Sequence, residues 1–194
     1  MNSRDEILAR VRRNQPTPRP LPDVPAFDAG RSNTFETFAV NLARMGGRVI
    51  AAPAQANLDK LIGELFPDAG VICSAAREVS GNRPLSTVAT PAGLHDVDVG
   101  VVRALFGVAE TGSVCLSEAQ FTVNALGFLS QHLVVLLDPR ALVTTLHQAY
   151  HHPGFASASY VVLMTGPSAT ADIEGVLIHG AQGIRTMTVI PAVS

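Results

Sequence analysis

Residues 133–137 read Leu-Val-Val-Leu-Leu, a continuous apolar run between Gln131-His132 and Asp138. A strand that is covered on both faces needs apolar side chains at every position, which is typical of the parallel sheets of α/β proteins. Further apolar runs suited to strands occur at 49–52, 71–73, 97–102, 114–116, 160–164 and 187–190. Helical patterns separate most of these runs, so the sequence predicts an α/β fold built on a parallel sheet with helices on both faces.

Apolar residues at helical spacing mark the segments between the predicted strands. The predicted helices cover 3–13, 35–45, 58–65, a segment that starts at Asp138-Pro139 and carries its apolar face over 142–149, and a segment over 173–180. Gly46-Gly47 follows the second of these, and glycine commonly ends a helix because it adopts the left-handed conformation easily.

The N-terminal helix is separated from the rest of the chain by five prolines between Pro16 and Pro25. Proline fixes φ and cannot continue a helix, so this stretch is predicted to be an extended linker. We therefore predict two parts: residues 1–25, a helical appendage with its proline-rich linker, and residues 26–194, an α/β domain. The appendage is predicted to dock on this domain or on another chain.

The composition narrows the classes of function. The chain is 47% hydrophobic and 15% charged, with 14 basic and 16 acidic residues and no Trp. This near-neutral balance argues against a nucleic-acid partner. The two cysteines, Cys73 and Cys115, lie far apart and cannot by themselves hold zinc or an iron–sulfur cluster. No signal peptide and no apolar stretch of about 18 residues is present, so we expect a cytoplasmic protein without a membrane span.

The strongest candidate for a functional site is the turn around Glu110. Residues 107–116 read Gly-Val-Ala-Glu-Thr-Gly-Ser-Val-Cys-Leu, which places one carboxylate between two strand-like runs. Thr111, Gly112 and Ser113 add two hydroxyls and open backbone N–H groups, a combination that suits a polar small-molecule site. Glu110 is a candidate general base, covalent nucleophile or hydrogen-bond acceptor. The structural alternative is a carboxylate that caps a turn or a helix N-terminus.

A second polar segment, residues 165–174, reads Thr-Gly-Pro-Ser-Ala-Thr-Ala-Asp-Ile-Glu. If a helix follows, its unpaired N–H groups and dipole would attract a phosphate or carboxylate. Thr170 would then be the N-cap and Asp172 would lie in the first turn of the helix. Helix capping alone would explain both residues without any ligand. The candidate ligand-binding residues of this segment are Gly166, Pro167, Ser168, Thr170, Asp172 and Glu174.

Histidines supply weaker candidates. His132 directly precedes the 133–137 strand, so it is predicted at the amino end of that strand, where a hydrogen-bonded structural role is favoured over a ligand site. His147 and His151 are four residues apart on a predicted helix, but no carboxylate completes a zinc-peptidase pattern, and we predict no metal site. His95 lies beside Asp96 and Asp98, which is a weak signal.

Several stretches of the chain resemble the LUD-domain family. The matching stretches are Asp98-Val99-Gly100-Val101, Ala109-Glu110-Thr111-Gly112-Ser113, His132-Leu133-Val134-Val135-Leu136, Gly166-Pro167-Ser168-Ala169-Thr170-Ala171-Asp172-Ile173-Glu174-Gly175 and Gly180-Ala181-Gln182-Gly183. The N-terminal helix and its proline linker also look like this family.

This resemblance implies a parallel-sheet sandwich similar to the superfamily of sugar-phosphate isomerases and CoA transferases. It also implies a role in oxidising L-lactate to pyruvate together with iron–sulfur partner proteins. The chain itself carries no cluster ligands and no dinucleotide fingerprint, so it is expected to be a non-redox component that binds a small carboxylate or phosphate. Asp98 and His132 lie in stretches that resemble the family, so the resemblance makes them candidate site residues as well.

Three functional hypotheses remain open at the level of sequence. The first is a subunit of a lactate-oxidising system, with iron–sulfur clusters on its partners and no cofactor of its own. The second is a stand-alone acyl- or CoA-transfer enzyme in which an anhydride forms on Glu110 and the CoA thiol traps it as a thioester. The third is a small-molecule sensor without catalysis. Each is compatible with a homo-oligomer.

Overall fold

A computed structural model of the chain describes residues 3–20, 22–25, 30, 34–53, 56–172 and 174–193. Its α-helices are α1 (Ser3–Arg13), α2 (Phe35–Arg44), α3 (Leu58–Leu65), α4 (Glu118–Phe121), α5 (Leu126–Leu129), α6 (Leu146–His151) and α7 (Pro153–Ala156). Its strands are β1 (Arg48–Val49), β2 (Ile72–Ser74), β3 (Val99–Arg103), β4 (Phe106–Val108), β5 (Ser113–Ser117), β6 (His132–Leu137), β7 (Leu142–Val143), β8 (Val161–Met164), β9 (Ala169–Thr170), β10 (Ile178–His179) and β11 (Thr186–Pro191). Short 3-10 helices lie at Leu85–Thr87 and Pro91–Leu94.

The central sheet has five strands in the order β1-β11-β6-β3-β2, and every neighbouring pair is parallel. The apolar run of residues 133–137 lies in β6, in the middle of this sheet, and all five residues are buried. Val99, His132 and Thr186 are in register across β3, β6 and β11. The prediction of an α/β fold with a mostly parallel central sheet is therefore confirmed.

A second sheet of four strands, in the order β7-β4-β5-β8, completes the sandwich. β5 is antiparallel to both β4 and β8, and β4 is parallel to β7. Consequently β4, β7 and β8 all run in one direction, and their carboxyl ends meet at a single edge of this sheet beside the start of β5. This edge positions the Glu110 turn.

The core consists of layers that alternate helices and sheets. The side chains between the two sheets form the largest cluster, in which Phe38 of α2 joins Val135 of β6 and Leu116 of β5. On the far face of the central sheet, Ile62 of α3 packs with residues of β3 and β6. On the far face of the second sheet, Ala149 of α6 joins residues of β4 and β5. Both sheets are therefore covered on both faces, which explains their apolar strands.

The helix predicted to begin at Asp138-Pro139 is wrong in its first half. Leu142 and Val143 form strand β7 and pair with Gly107 and Val108 of β4. The helix α6 begins only at Leu146, where the Thr145 side chain accepts a hydrogen bond from the Gln148 N–H as its N-cap. The spacing of Leu142 and Val143 fits a helix, but pairing with a distant strand decides their conformation.

The helix predicted over residues 173–180 is also wrong. The described residues of this segment form a two-stranded hairpin in which Thr170 pairs with Ile178 and Ala169 with His179. Glu174 and Gly175 adopt positive φ values of 55° and 69°, which turns the chain rather than continuing a helix. The Ile173 position of the predicted helix lies outside the described residues.

The N-terminal helix forms where the sequence predicts it, over Ser3–Arg13, and none of its residues is buried. The division of the chain into residues 1–25 and 26–194 stays a prediction. Among the helices that the structure describes, none is both long and apolar enough to cross a lipid bilayer.

Candidate functional site

A cavity of about 500 Å³ opens at the edge of the second sheet where β4, β7 and β8 end. This volume lies within the usual range for small-molecule sites. Among the described residues, its lining combines one carboxylate, one guanidinium, one amide, four hydroxyls and several apolar side chains. The lining residues are Asn41, Arg44, Met45, Glu110, Thr111, Ser113, Leu146, Tyr150, Leu163 and Thr165.

Glu110 lies in the turn between β4 and β5, as the sequence predicts. Its backbone N–H donates to the Thr144 carbonyl, and its Oε2 accepts a hydrogen bond of 2.9 Å from the Leu146 N–H at the start of α6. The carboxylate therefore supports a helix N-terminus and lines the cavity at the same time. The structural and the ligand-binding interpretations of Glu110 are compatible.

Helix α2 fixes the Glu110 turn from the other side. The Asn41 Nδ2 donates to the carbonyls of Ala109 at 2.8 Å and Glu110 at 3.1 Å. The Arg44 Nη1 donates to the Asn41 Oδ1 at 3.0 Å, which holds the guanidinium at the mouth of the cavity. The sequence reasoning missed Asn41 and Arg44, although their spacing of three residues places both on one helix face.

Three hydroxyls form a connected row on the cavity wall. The Ser113 Oγ lies 2.6 Å from the Thr111 Oγ1 and 2.5 Å from the Thr165 Oγ1. Ser113 is only 3% exposed, so its orientation is set by these two neighbours rather than by solvent. Thr165 follows β8 directly, and it joins the two polar segments that the sequence analysis singled out.

The second predicted segment lines a separate, adjacent cavity. Gly166, Pro167 and Ser168 border a space of about 230 Å³ that shares Thr165 with the larger cavity. Gly166 has a φ of +74°, and a Cβ there would meet the Met45 carbonyl oxygen, so glycine is required for this close approach. The two segments therefore meet at Thr165, each beside its own cavity.

The helix N-terminus predicted after Gly166 is wrong, because the described chain forms the β9–β10 hairpin there; anion binding by this segment stays a prediction. Thr170 caps no helix, although its Oγ1 accepts a hydrogen bond from the Asp172 N–H. Asp172 and Glu174 are exposed on the hairpin, and neither lines the two cavities. The ligand-binding roles of Thr170, Asp172 and Glu174 stay predictions without a cavity to support them.

Asp98 and His132 lie elsewhere, at the amino ends of β3 and β6. The Asp98 Oδ2 accepts hydrogen bonds from the Gly70 and Val71 N–H groups at 2.8 and 2.9 Å. The His132 Nδ1 lies 2.8 Å from the Thr186 Oγ1, and its ring packs 4.9 Å from the Phe66 ring. His132 is thus at the strand end that the sequence predicts, and both residues have structural partners.

Burial, assisted by the charge of Arg185, lowers the pKa of His132 below its usual value of 6.5. The unfolded chain therefore binds more protons than the folded chain as pH falls through about 6.5, and acidification destabilises the fold. We expect the free energy of unfolding to decrease between pH 7 and pH 5, and a His132→Gln variant to show a smaller decrease. Urea unfolding at several pH values measures both slopes; equal slopes would contradict this role of His132.

The two cysteines and the histidine pair on α6 are further reactive groups. Cys73 and Cys115 are both free and buried, and burial raises the pKa of Cys115 to about 11. His147 and His151 pack with ring centroids 4.8 Å apart. Within the described ranges, no three His, Cys, Asp or Glu side chains come together as a potential metal site.

The sequence of the chain is similar to those of curated proteins over part of their length. Lactate utilization protein C from Oceanobacillus iheyensis is 30% identical over 99 residues, which cover 48% of this chain and 42% of that protein. The uncharacterized protein YkgG from Escherichia coli is 35% identical over 92 residues, which cover 44% of this chain and 39% of that protein. The chain thus matches about two fifths of the length of each relative.

The fold is similar to that of a solved structure. A crystal structure of a DUF162 family protein from Deinococcus radiodurans superposes with a TM-score of 0.58, covering 80% of this chain and 94% of that chain at 15% identity. The model of the LUD domain family matches residues 90–190, which include β3 to β6 and the Glu110 turn. This match covers more than half of the 194 residues. The chain therefore belongs to the LUD domain family.

Proposed function

We propose that this chain is a non-redox component of a lactate-utilization system and that the cavity beside Glu110 binds a small hydroxy-carboxylate. The similarity to Lactate utilization protein C supports the system, and the cavity supports the ligand class. Iron–sulfur partner proteins would carry the redox step. The observation that carries the proposal is the meeting of a guanidinium, a carboxylate and a row of hydroxyls in one cavity of about 500 Å³.

The lining offers a partner for each part of a 2-hydroxy acid. A guanidinium carries five N–H donors, so Arg44 has donors left for a ligand carboxylate after its bond to Asn41. Ser113 and Thr165 offer hydroxyls for the 2-hydroxyl group, and Leu146 and Leu163 offer apolar contact for the remaining carbon atoms. Arg44 sets the charge preference, because it is the one cation among the described lining residues.

Replacing Arg44 with Gln is expected to weaken L-lactate binding by roughly tenfold or more, because a charge-assisted hydrogen bond contributes about 1.5–3 kcal/mol. Ser113→Ala is expected to weaken it by a smaller factor. Isothermal titration calorimetry with L-lactate measures both effects. Arg140→Gln is the matched control, since Arg140 is exposed and paired with Asp138 outside this cavity. Equal affinity of the Arg44→Gln variant and the unchanged protein would contradict the assigned site.

The role within a system needs a separate test. The chain is expected to co-purify with iron–sulfur proteins from its source cells, and removing the chain is expected to reduce lactate oxidation by the assembled proteins. Full lactate oxidation without the chain would disprove the role as a component, whatever the outcome of the binding experiment.

Acyl transfer through Glu110 is the second candidate, because this carboxylate lines the cavity and is half-buried rather than enclosed. Its Oε2 is engaged by the Leu146 N–H, which fits a positioning role equally well. Incubation with acetyl-CoA followed by mass spectrometry of the Glu110 peptide distinguishes acyl transfer from a positioning role of this carboxylate. An adduct that is absent from a Glu110→Gln variant would favour acyl transfer over simple binding.

A further inference from the structure

We propose that the chain has a second binding site, for a small oxyanion, in the cavity at the amino-terminal edge of the central sheet where His132 and Arg185 lie. This site is independent of the proposed function at Glu110. The cavity has a volume of about 300 Å³, and none of its described lining residues also lines the cavity beside Glu110. Its lining residues are Leu65, Phe66, Pro67, Asp68, Ala69, Asp98, Gln131, His132 and Arg185.

The topology of the central sheet brings the polar groups of this cavity together. Val99, His132 and Thr186 are in register across three neighbouring parallel strands. The residues at the starts of these strands therefore meet at one edge. Two backbone hydrogen bonds fix the arrangement: the His132 N–H donates to the Asp98 carbonyl at 2.8 Å, and the Arg185 N–H donates to the Gln131 carbonyl at 2.7 Å.

His132 is positioned as a ligand-binding imidazole. Its Nδ1 is engaged by the Thr186 Oγ1 and its ring packs on Phe66, so the orientation of the ring is fixed. Among the described residues, none forms a hydrogen bond with its Nε2. A histidine that is held at Nδ1 by one partner presents Nε2 to a ligand in a defined direction.

Arg185 supplies the positive charge. Its side chain forms no ion pair or hydrogen bond with any described residue, and the residue is exposed at the rim of the cavity. Arg48 adds a second nearby cation, which hydrogen-bonds Thr188 at 2.9 Å and lies over the Phe66 ring. A guanidinium without an internal partner beside an oriented imidazole is suited to a carboxylate or a phosphate.

Two of the described lining residues, Asp68 and Asp98, carry carboxylates, and they lie in different environments. Asp98 directs its Oδ2 to the Gly70 and Val71 N–H groups, which offset part of its charge. Asp68 is exposed at the rim. The groups that act electrostatically on His132 are Arg185, Asp98 and Arg48, and burial together with the two arginines lowers the pKa of His132. A bound anion would offset the arginines and so raise that pKa.

The test is an NMR titration of the full chain with inorganic phosphate and, separately, with sodium acetate, following the imidazole resonances of His132. We expect saturable shifts of these resonances and a higher pKa of His132 with the anion bound. Arg185→Gln is expected to weaken the response by roughly tenfold, because it removes the charged donor. Saturation by phosphate alone identifies a phosphate-type ligand, and saturation by acetate identifies a carboxylate.

Two controls separate this site from the other one and from general salt effects. Arg140→Gln removes an exposed arginine that lies outside this cavity and should leave the titration unchanged. Arg44→Gln should also leave the titration of the His132 resonances unchanged. The site near His132 is thereby tested independently of the proposed lactate site. His132 resonances that do not respond to either anion would overturn the proposal, and so would an undiminished response in Arg185→Gln.

Discussion

A Gly112→Ala variant is expected to lose roughly 3 kcal/mol or more of folding free energy, because it combines backbone strain with a steric clash. Gly112 has a φ of +71°, and a Cβ at this position would lie 2.5 Å from the Leu42 Cα and against the Leu42 nitrogen. These are backbone atoms of α2, so no rotation of a side chain relieves the contact. Urea unfolding measures the loss.

Gly63→Ala is the matched control for this substitution. Gly63 lies within α3, and a methyl group added there would meet no atom of the described residues within 4 Å, apart from its own helix backbone and chain neighbours. Alanine is favoured over glycine inside a helix by roughly 0.5–1 kcal/mol, so this variant is expected to be as stable as the unchanged protein or more so. If Gly112→Ala proved as stable as Gly63→Ala, the close packing of α2 on the Glu110 turn would be refuted.

Truncation of Phe38 to alanine is expected to cost about 3–5 kcal/mol, the usual range for a buried phenylalanine. Phe38 is 0% exposed and belongs to the cluster between the two sheets. Its ring also stacks on Phe35 with centroids 5.6 Å apart. Since α2 carries Asn41 and Arg44, we expect the affinity for L-lactate to fall together with the stability.

Phe128→Ala provides the comparison for Phe38→Ala. Phe128 is 39% exposed and packs on Phe121 with centroids 5.9 Å apart. Its truncation removes less buried apolar area, so we expect about 1 kcal/mol of destabilisation. Thermal or urea unfolding of both variants gives the two values. A larger loss for Phe128 than for Phe38 would contradict the assignment of the main core to the space between the sheets.

The central sheet is predictable from sequence because its strands are buried on both faces. The run of residues 133–137 has no polar position, and a five-residue apolar stretch leaves few alternatives once helical patterns surround it. The second sheet is harder to predict from the sequence. β7 consists of Leu142–Val143 alone, and its two apolar residues fit the helical spacing toward Leu146. Only the pairing with β4 makes them a strand.

The candidate site also has a part that is predictable from the sequence and a part that is not. Glu110, Thr111 and Ser113 are close in sequence, and their alternation of carboxylate, hydroxyl and glycine is visible without a structure. The other described lining residues come from α2 and its C-cap, from α6 and from the end of β8, which are brought together by strand pairing. Sequence patterns report local conformation, and they carry little information on which distant segments meet.

The position of β11 has a consequence for how the protein is made. β11 lies between β1 and β6, and it pairs Arg48 with Thr188 across 140 residues of chain. A ribosome adds roughly 5–20 residues per second, so β1 waits for roughly 7–28 s before its partner strand is synthesised. Until then the β6 edge is open to other chains. Nascent chains that expose β6 but not yet β11 are therefore open to aggregation and to capture by chaperones at this strand edge.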